Sequence, residues 1–260
     1  MRNYLLILEG PHDVAAISKY LTIKGYIEKR SKEDVPEFWN VFIPTTFTFG
    51  VKTIIPTFFI SEDEKKSVAL YIAEGDSGIV SAMKRVKNLD YEELSAVGIV
   101  CDADDKNATS RYEEIFAKLI KGIQSDLKPI IEGNEFEKIS NNDGILFGIY
   151  VLPNNADKGI LEDLLLEGAN VKFPILINHA EEYIDKASVS KPEYVKENDW
   201  SKNFNESKRK KMLVGVVSNA FRPGMANQVG IQAIRWVDEE SLTILPFQKK
   251  FNAFLDDLLT

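Results

Sequence analysis

The 260-residue chain has a single cysteine, Cys101, which excludes an internal disulfide framework. Two histidines beside it are too few for a Cys/His zinc site, and the position of Cys101 inside an apolar run reads as a small buried hydrophobe. No stretch approaches the roughly eighteen consecutive apolar residues that a membrane span requires. After Met1-Arg2-Asn3-Tyr4 there is no signal-peptide core, so a cytoplasmic protein without a membrane role is expected. Neither a Gly-x-Gly-x-x-Gly turn nor a Walker lysine motif occurs, which removes support for nucleotide binding of those kinds. Positive charge is also short: 32 Lys and Arg face 40 Asp and Glu, for a net charge of −8. The average field therefore repels nucleic acid, and any such partner needs a local basic patch or a bound cation.

What is present is ordinary for a folded globular chain, with 44% hydrophobic and 28% charged residues. Apolar runs alternate with helical patterns. Residues 4 to 9 read as a buried strand, and 11 to 20 as a helix opened by Pro11 with Val14, Ile17 and Leu21 on one face. Residues 68 to 73 form a second strand, followed by the turn Gly75-Asp76-Ser77-Gly78 and a helix from 79 to 87. Residues 96 to 101 and 145 to 152 make two more strands, each followed by a helix, through Tyr112, Ile115, Phe116 and Leu119 and from 160 to 166. Four strand–helix repeats in order predict an α/β fold: a mostly parallel, doubly wound sheet with helices on both faces.

Two segments depart from that rhythm. Residues 27 to 66 hold Phe38, Trp39, Phe42, Phe47, Phe49, Phe58 and Phe59 between Pro36, Pro44 and Pro56, and are expected to form a β-rich insertion packed on the sheet edge. An exposed base-stacking platform is the alternative. Residues 169 to 260 are expected to form a mainly helical C-terminal extension packed on a core of residues 1 to 168. Within it, 183 to 201 reads as a polar surface segment or linker, 212 to 220 as a helix or strand, and 245 to 259 as a closing helix.

The chemistry gathers where two apolar runs about ninety residues apart end in carboxylates, Glu9-Gly10-Pro11-His12-Asp13 and Asp102-Ala103-Asp104-Asp105. In a parallel sheet, ligand sites lie outside the carboxyl ends of the strands. If the two strands are neighbours, Glu9, Asp102 and Asp104 share one rim, and residues two apart in extended chain share a face. Hard oxygen ligands so close repel one another, and a divalent ion such as Mg2+ or Mn2+ neutralises them while keeping waters that a phosphate oxygen can replace. Helix-start and turn-forming roles for Glu9, Asp13, Asp102 and Asp104 stand beside that reading.

On these residues the chain resembles the Toprim domain shared by topoisomerases, primases, small ribonucleases and the overcoming-lysogenization-defect nucleases, and looks closest to standalone Toprim-like proteins. The signature is Glu-Gly after the first strand and Asp-x-Asp after a later one, here Glu9-Gly10 and Asp102-x-Asp104. The Leu152-Pro153-Asn154-Asn155 turn leading to Gly159-x-Leu161-Glu162-Asp163-Leu164, and Pro223-Gly224 before Gly230 to Ile234, extend the match. The resemblance implies Glu9 as general acid/base, Asp13, Asp102 and Asp104 as metal ligands, and Asp105, Glu162 and Asp163 as ligands of a second ion or supports of the first. A solvated helix face is the plainer reading of Glu162 and Asp163.

Gly75, Ser77 and Gly78 at a strand–helix junction read first as a plain tight turn, and Lys84 and the run Lys208, Arg209, Lys210 and Lys211 as solvated helix residues, with phosphate or nucleic-acid contacts as the alternative for each. His12 beside the carboxylates could assist proton transfer. The expected function is Mg2+-dependent phosphoryl transfer, as a nuclease acting on DNA or RNA. A Toprim-like binding module working through a partner such as an ATPase in phage defence is the alternative. A haloacid-dehalogenase-like phosphatase would explain Asp102-x-Asp104 but not Glu9, and Lys106 stands where it expects Thr or Val.

Overall fold

A computed structural model of the chain describes residues 1–46, 49–50 and 53–260. Phe47, one of the aromatic residues of the insertion, lies outside the described residues. The elements follow in the order β1 (Arg2–Leu8), α1 (Pro11–Ile23), β2 (Tyr26–Lys29), β3 (Thr57–Ser61), β4 (Lys66–Ile72), α2 (Asp76–Arg85), β5 (Leu94–Asp102), α3 (Ala108–Gly122), α4 (Lys128–Ile131), β6 (Ser140–Asn142) and β7 (Ile145–Leu152). Helices then fill the rest: α5 (Leu161–Lys172), α6 (Pro174–Val189), α7 (Glu197–Ser201), α8 (Glu206–Phe221), α9 (Asn227–Ala233), α10 (Ser241–Ile244) and α11 (Pro246–Leu258). The expected surface linker at 183 to 201 is instead partly helical. Tyr183 to Val189 complete α6, whose buried Ile177, Ala180 and Ile184 give it an apolar stripe the polar residues obscured.

Seven strands form one mixed sheet in the order β2-β3-β4-β1-β5-β7-β6. The four central strands β4, β1, β5 and β7 are parallel, and β2, β3 and β6 add antiparallel edges. Strands buried on both faces need apolar residues at every position, which explains the unbroken runs Tyr4 to Leu8 and Ala96 to Cys101. Side-chain parity divides them between two cores. Tyr4, Leu6 and Leu8 join α1, α5, α6, α8, α9 and α11 on one face; Leu5 and Ile7 join α2, α3 and α4 on the other.

The helix after β1 therefore covers one face and the helix after β5 the opposite face, while β1 and β5 lie side by side. A crevice must open between their carboxyl ends, where the winding of the sheet reverses. This crevice holds the carboxylates.

The insertion contributes β2, β3 and short 3-10 turns at Lys32–Asp34 and Glu37–Phe42. Its aromatic residues are mostly interior: Trp39, Phe42 and Phe58 pack under one face and Phe59 under the other. Trp39 Nε1 donates to Ser67 Oγ at 2.8 Å, and that hydroxyl donates to Asn3 Oδ1 at 2.6 Å, so the polar atoms brought in with the ring are paired. Phe49 is exposed. At the far end of the chain, α11 closes one face: Phe251 meets Tyr20 and Tyr150 edge-on, with ring centroids 4.9 Å apart in each pair.

Candidate functional site

Registration of β1 with β5 pairs Leu8 with Val100, so Glu9 and Asp102 emerge at the same end of adjacent strands. Continued along each strand, the alternation sends Glu9 towards the α3 face and Asp102 towards the α1 and α5 face. Each accordingly meets a different partner. Glu9 Oε1 accepts from Arg111 Nη2 at 2.8 Å, and Asp102 Oδ1 accepts from the Leu161 backbone N–H at 2.8 Å, at the N-terminus of α5. Past the last ladder the two side chains nevertheless line one cavity of about 270 Å³, together with Gly10, His12, Asp13, Gly75, Glu162 and Lys211.

Asp13 sits in the first turn of α1, where its Oδ2 accepts from the Gly10 N–H at 2.8 Å, closing the start of the helix from the N3 position alone because the glycine N-cap has no side chain to reciprocate. Glu162, on the first turn of α5, is 2% exposed and lies 3.4 Å from His12 Nδ1. Four carboxylates thus gather from the end of β1, from α1, from the end of β5 and from α5. Burial and mutual repulsion perturb three of them. Burial first, then the negative charges of Asp13, Glu9 and Glu162, push the Asp102 carboxyl well above the usual range. Burial, aided by Glu9, raises Asp13 to about 7. Burial also raises Glu9, against the pull of Arg111. Buried carboxylates crowded in this way resist ionisation, and a cation would relieve that cost.

Asp104 does not share the face of Asp102. Its φ of +56° ends the strand, and its backbone pairs antiparallel with Gly159, by Asp104 N–H to Gly159 O at 2.8 Å and Gly159 N–H to Asp104 O at 2.9 Å. Gly159 is required there: it has φ +146°, and a Cβ would stand 2.5 Å from Asp163 Oδ2. The Asp104 side chain is exposed and lines a neighbouring depression of about 460 Å³ with Asp105, Lys158, Glu206 and Lys210. It is close enough to raise Glu9 by repulsion, so it borders the cavity without lining it. Asp163 faces away as well: Oδ2 caps Ile160 N–H at 2.9 Å and Oδ1 pairs with Lys210 at 2.8 Å.

Gly75 lines the cavity with φ +92°, immediately before α2. Gly78 serves packing, since a Cβ there would fall 1.4 Å from Ala73 O. Ser77 lies in the first turn of α2, its carbonyl accepting from Ser81 Oγ at 3.0 Å, and Lys84 is exposed in the last turn, at the far end of the helix. The basic run lies on α8 beside the cavity, and its members differ in role. Arg209 pairs with Asp185 at 2.6 Å, and Lys210 with Asp163 and Glu206, while Lys211 lines the carboxylate cavity.

The sequence reading missed Arg111. It is 5% exposed and bridges Asp76, Glu9 and the carbonyl of Asp102, at 2.5, 2.8 and 2.9 Å. These hydrogen bonds, Arg111 foremost with Lys118 assisting, hold Asp76 down at about 2. The signal was available: Arg111 falls on the apolar stripe Ala108, Tyr112, Ile115 and Leu119 of an amphipathic helix, and a charge on such a stripe must find a buried partner.

Among the described residues, no group of three or more His, Cys, Asp or Glu side chains is arranged to hold a metal ion. No helix among them is long and apolar enough to cross a membrane.

A family model described as a protein of unknown function, DUF3226, matches residues 3–260. No curated protein matches the chain. The crystal structure of the hypothetical protein PH0156 from Pyrococcus horikoshii OT3 shares the fold at a TM-score of 0.55 and 18% identity, over 99% of this chain and 95% of that one. The crystal structure of a protein with unknown function from Thermoplasma acidophilum aligns at a TM-score of 0.30 and 15% identity, over 86% of this chain and 90% of that one.

Proposed function

Because the chain belongs to the DUF3226 family, whose function is unknown, we propose its activity from the site: divalent-cation-dependent phosphoryl transfer, as a Toprim-type nuclease acting on DNA or RNA. The observation that carries this reading is the convergence of Glu9, Asp13, Asp102 and Glu162 on one small cavity that Lys211 also lines. Oxygen donors of this kind suit Mg2+ or Mn2+, which would replace the protons that the crowded carboxylates otherwise retain. Asp102 and Asp13 would serve as ligands and Glu162 as a further ligand or support. Glu9, held by Arg111 and raised by burial, is the proton carrier. A bound ion would polarise a phosphodiester oxygen or activate water, and Lys211 would compensate charge on the phosphate. Asp104 and Asp105, on the adjoining depression, suit a role along the strand's path rather than in the ion's inner ligand set.

Each carboxylate also has a protein partner already: Arg111, the Gly10 N–H, the Leu161 N–H or His12. Ion binding therefore needs these side chains to turn, and the same pairing favours a second reading, a non-catalytic Toprim-like module that works through a protein partner such as an ATPase. Calorimetric Mn2+ titration and cleavage assays on labelled DNA and RNA, with the wild type and Asp102→Asn, separate the two. Stoichiometric binding and cleavage, both lost in the variant, support the enzyme. Mn2+ binding without cleavage of any strand transfers the case to the module, and absence of Mn2+ binding removes the metal reading.

A further inference from the structure

A groove of about 920 Å³ runs between α6 and α8, a size that holds a small organic group. Its wall carries Tyr183, Trp200, Phe204 and Met212, with the amides of Asn219 and Asn227 among them. Trp200 and Phe204 stand 5.3 Å apart, and Trp200 Nε1 is anchored on Ser188 O at 2.8 Å, so the indole is held in place. Lys208 and Lys211, one turn apart on α8, line the same groove. Within the run 208 to 211, Arg209 and Lys210 are paired with carboxylates. Lys208 meets only the amide oxygen of Asn203, at 3.5 Å, and neither Lys208 nor Lys211 pairs with a carboxylate among the described residues. In a chain of net charge −8, two cations bordering an aromatic groove, neither held in an ion pair among the described residues, favour an anionic occupant with an aromatic part. Lys211 belongs to this groove and to the carboxylate cavity alike.

We propose that the groove receives the base of an unpaired nucleotide in a single-stranded nucleic acid, whose adjoining phosphate passes Lys208 and Lys211 towards the carboxylate cavity. The inference rests, for the direction of the strand, on the phosphoryl-transfer reading of that cavity. Rings on the wall offer stacking to any base, and the asparagine amides offer hydrogen bonds to base edges. A duplex cannot present a base in this way without unpairing it, so single strands are the preferred class.

Of the three tryptophans, Trp39 and Trp236 are fully buried, so quenching by a ligand reports on Trp200. Oligonucleotides of about eight nucleotides, DNA and RNA, are titrated against the full chain in EDTA, with matching duplexes as controls. Single strands should quench Trp200, and Phe204→Ala and the exposed-site variant Asn219→Ala should each weaken binding by about tenfold. Lys208→Ala should lower the slope of log affinity against log salt by about one. Binding unaffected by all three variants, stronger binding to duplex, or no binding overturns the proposal. Quenching that grows with protein concentration alone would identify a second copy as the occupant, and also overturns it. Mn2+ calorimetry on the same proteins, dialysed free of EDTA, reads the carboxylate cavity separately. Oligonucleotide binding without Mn2+ binding retains the groove and removes the metal; the converse removes the groove alone.

Discussion

Asp13→Asn tests the electrostatics of the cavity directly. Asn keeps an oxygen for the Gly10 N–H and removes the charge, so the start of α1 is preserved. The Asp13 carboxyl is raised from 3.8 to about 7, with burial as the main cause and Glu9 next. A raised carboxyl favours the protonated fold. Its stabilising contribution is complete below pH 3.8, and it is lost as pH rises towards and through about 7. Three pKa units at about 1.4 kcal/mol each amount to a cost on the order of 4 kcal/mol once the group ionises. Glu9 and Asp102, also raised, act in the same sense, whereas Asp76, lowered to about 2, contributes stability that disappears only as pH falls through that value. Melting temperature in EDTA should therefore fall between pH 5 and 8 by several degrees, at about 2 to 4 °C per kcal/mol for a chain of this size. Asp13→Asn should flatten that fall and melt above the wild type at pH 8. Mg2+ competes with the same protons, so its stabilising effect on the wild type should be small at pH 5 and grow by pH 8. Differential scanning fluorimetry across this range checks both. A variant with an unchanged pH slope, or a Mg2+ shift independent of pH, refutes the reasoning.

Three further outcomes follow from the packing. Arg111→Ala leaves Glu9 and Asp76 without their guanidinium and should cost about 3 kcal/mol in urea unfolding, with part of the loss recovered when Asp76→Asn is added. Gly78→Ala forces a Cβ into the Ala73 carbonyl, 1.4 Å away, and should destabilise the fold by more than about 2 kcal/mol in thermal melts. Phe251→Ala removes a ring that is 2% exposed and packs on Tyr20 and Tyr150. It should lower stability by about 4 kcal/mol while unfolding stays a single transition, because residues of the sheet and of α5, α6 and α8 to α11 share one core.

Much of the architecture was legible in the chain. The runs Tyr4 to Leu8, Ala96 to Cys101 and Ile145 to Leu152 are long enough and apolar enough to be central parallel strands, and the helices between them carry helical spacing. The antiparallel edges were harder to see, because β2 and β6 are short and only partly buried. The second half of α6 was hidden by polar residues, since its stripe needs only Ile177, Ala180 and Ile184.

By itself the sequence determined that carboxylates stand where strands end, because apolar runs of strand length stop at Glu9 and Asp102 and a capping position follows at Asp13. Only the tertiary structure decided which of them meet. Local backbone choice turned Asp104 outward, through a positive φ fixed by pairing with Gly159. Docking of α5 brought Glu162 into the cavity, and docking of α3 carried Arg111 to Glu9, both across long sequence separations. Strand ends are set by local hydrophobicity, whereas the facing of a side chain at a rim depends on elements that arrive from elsewhere in the chain.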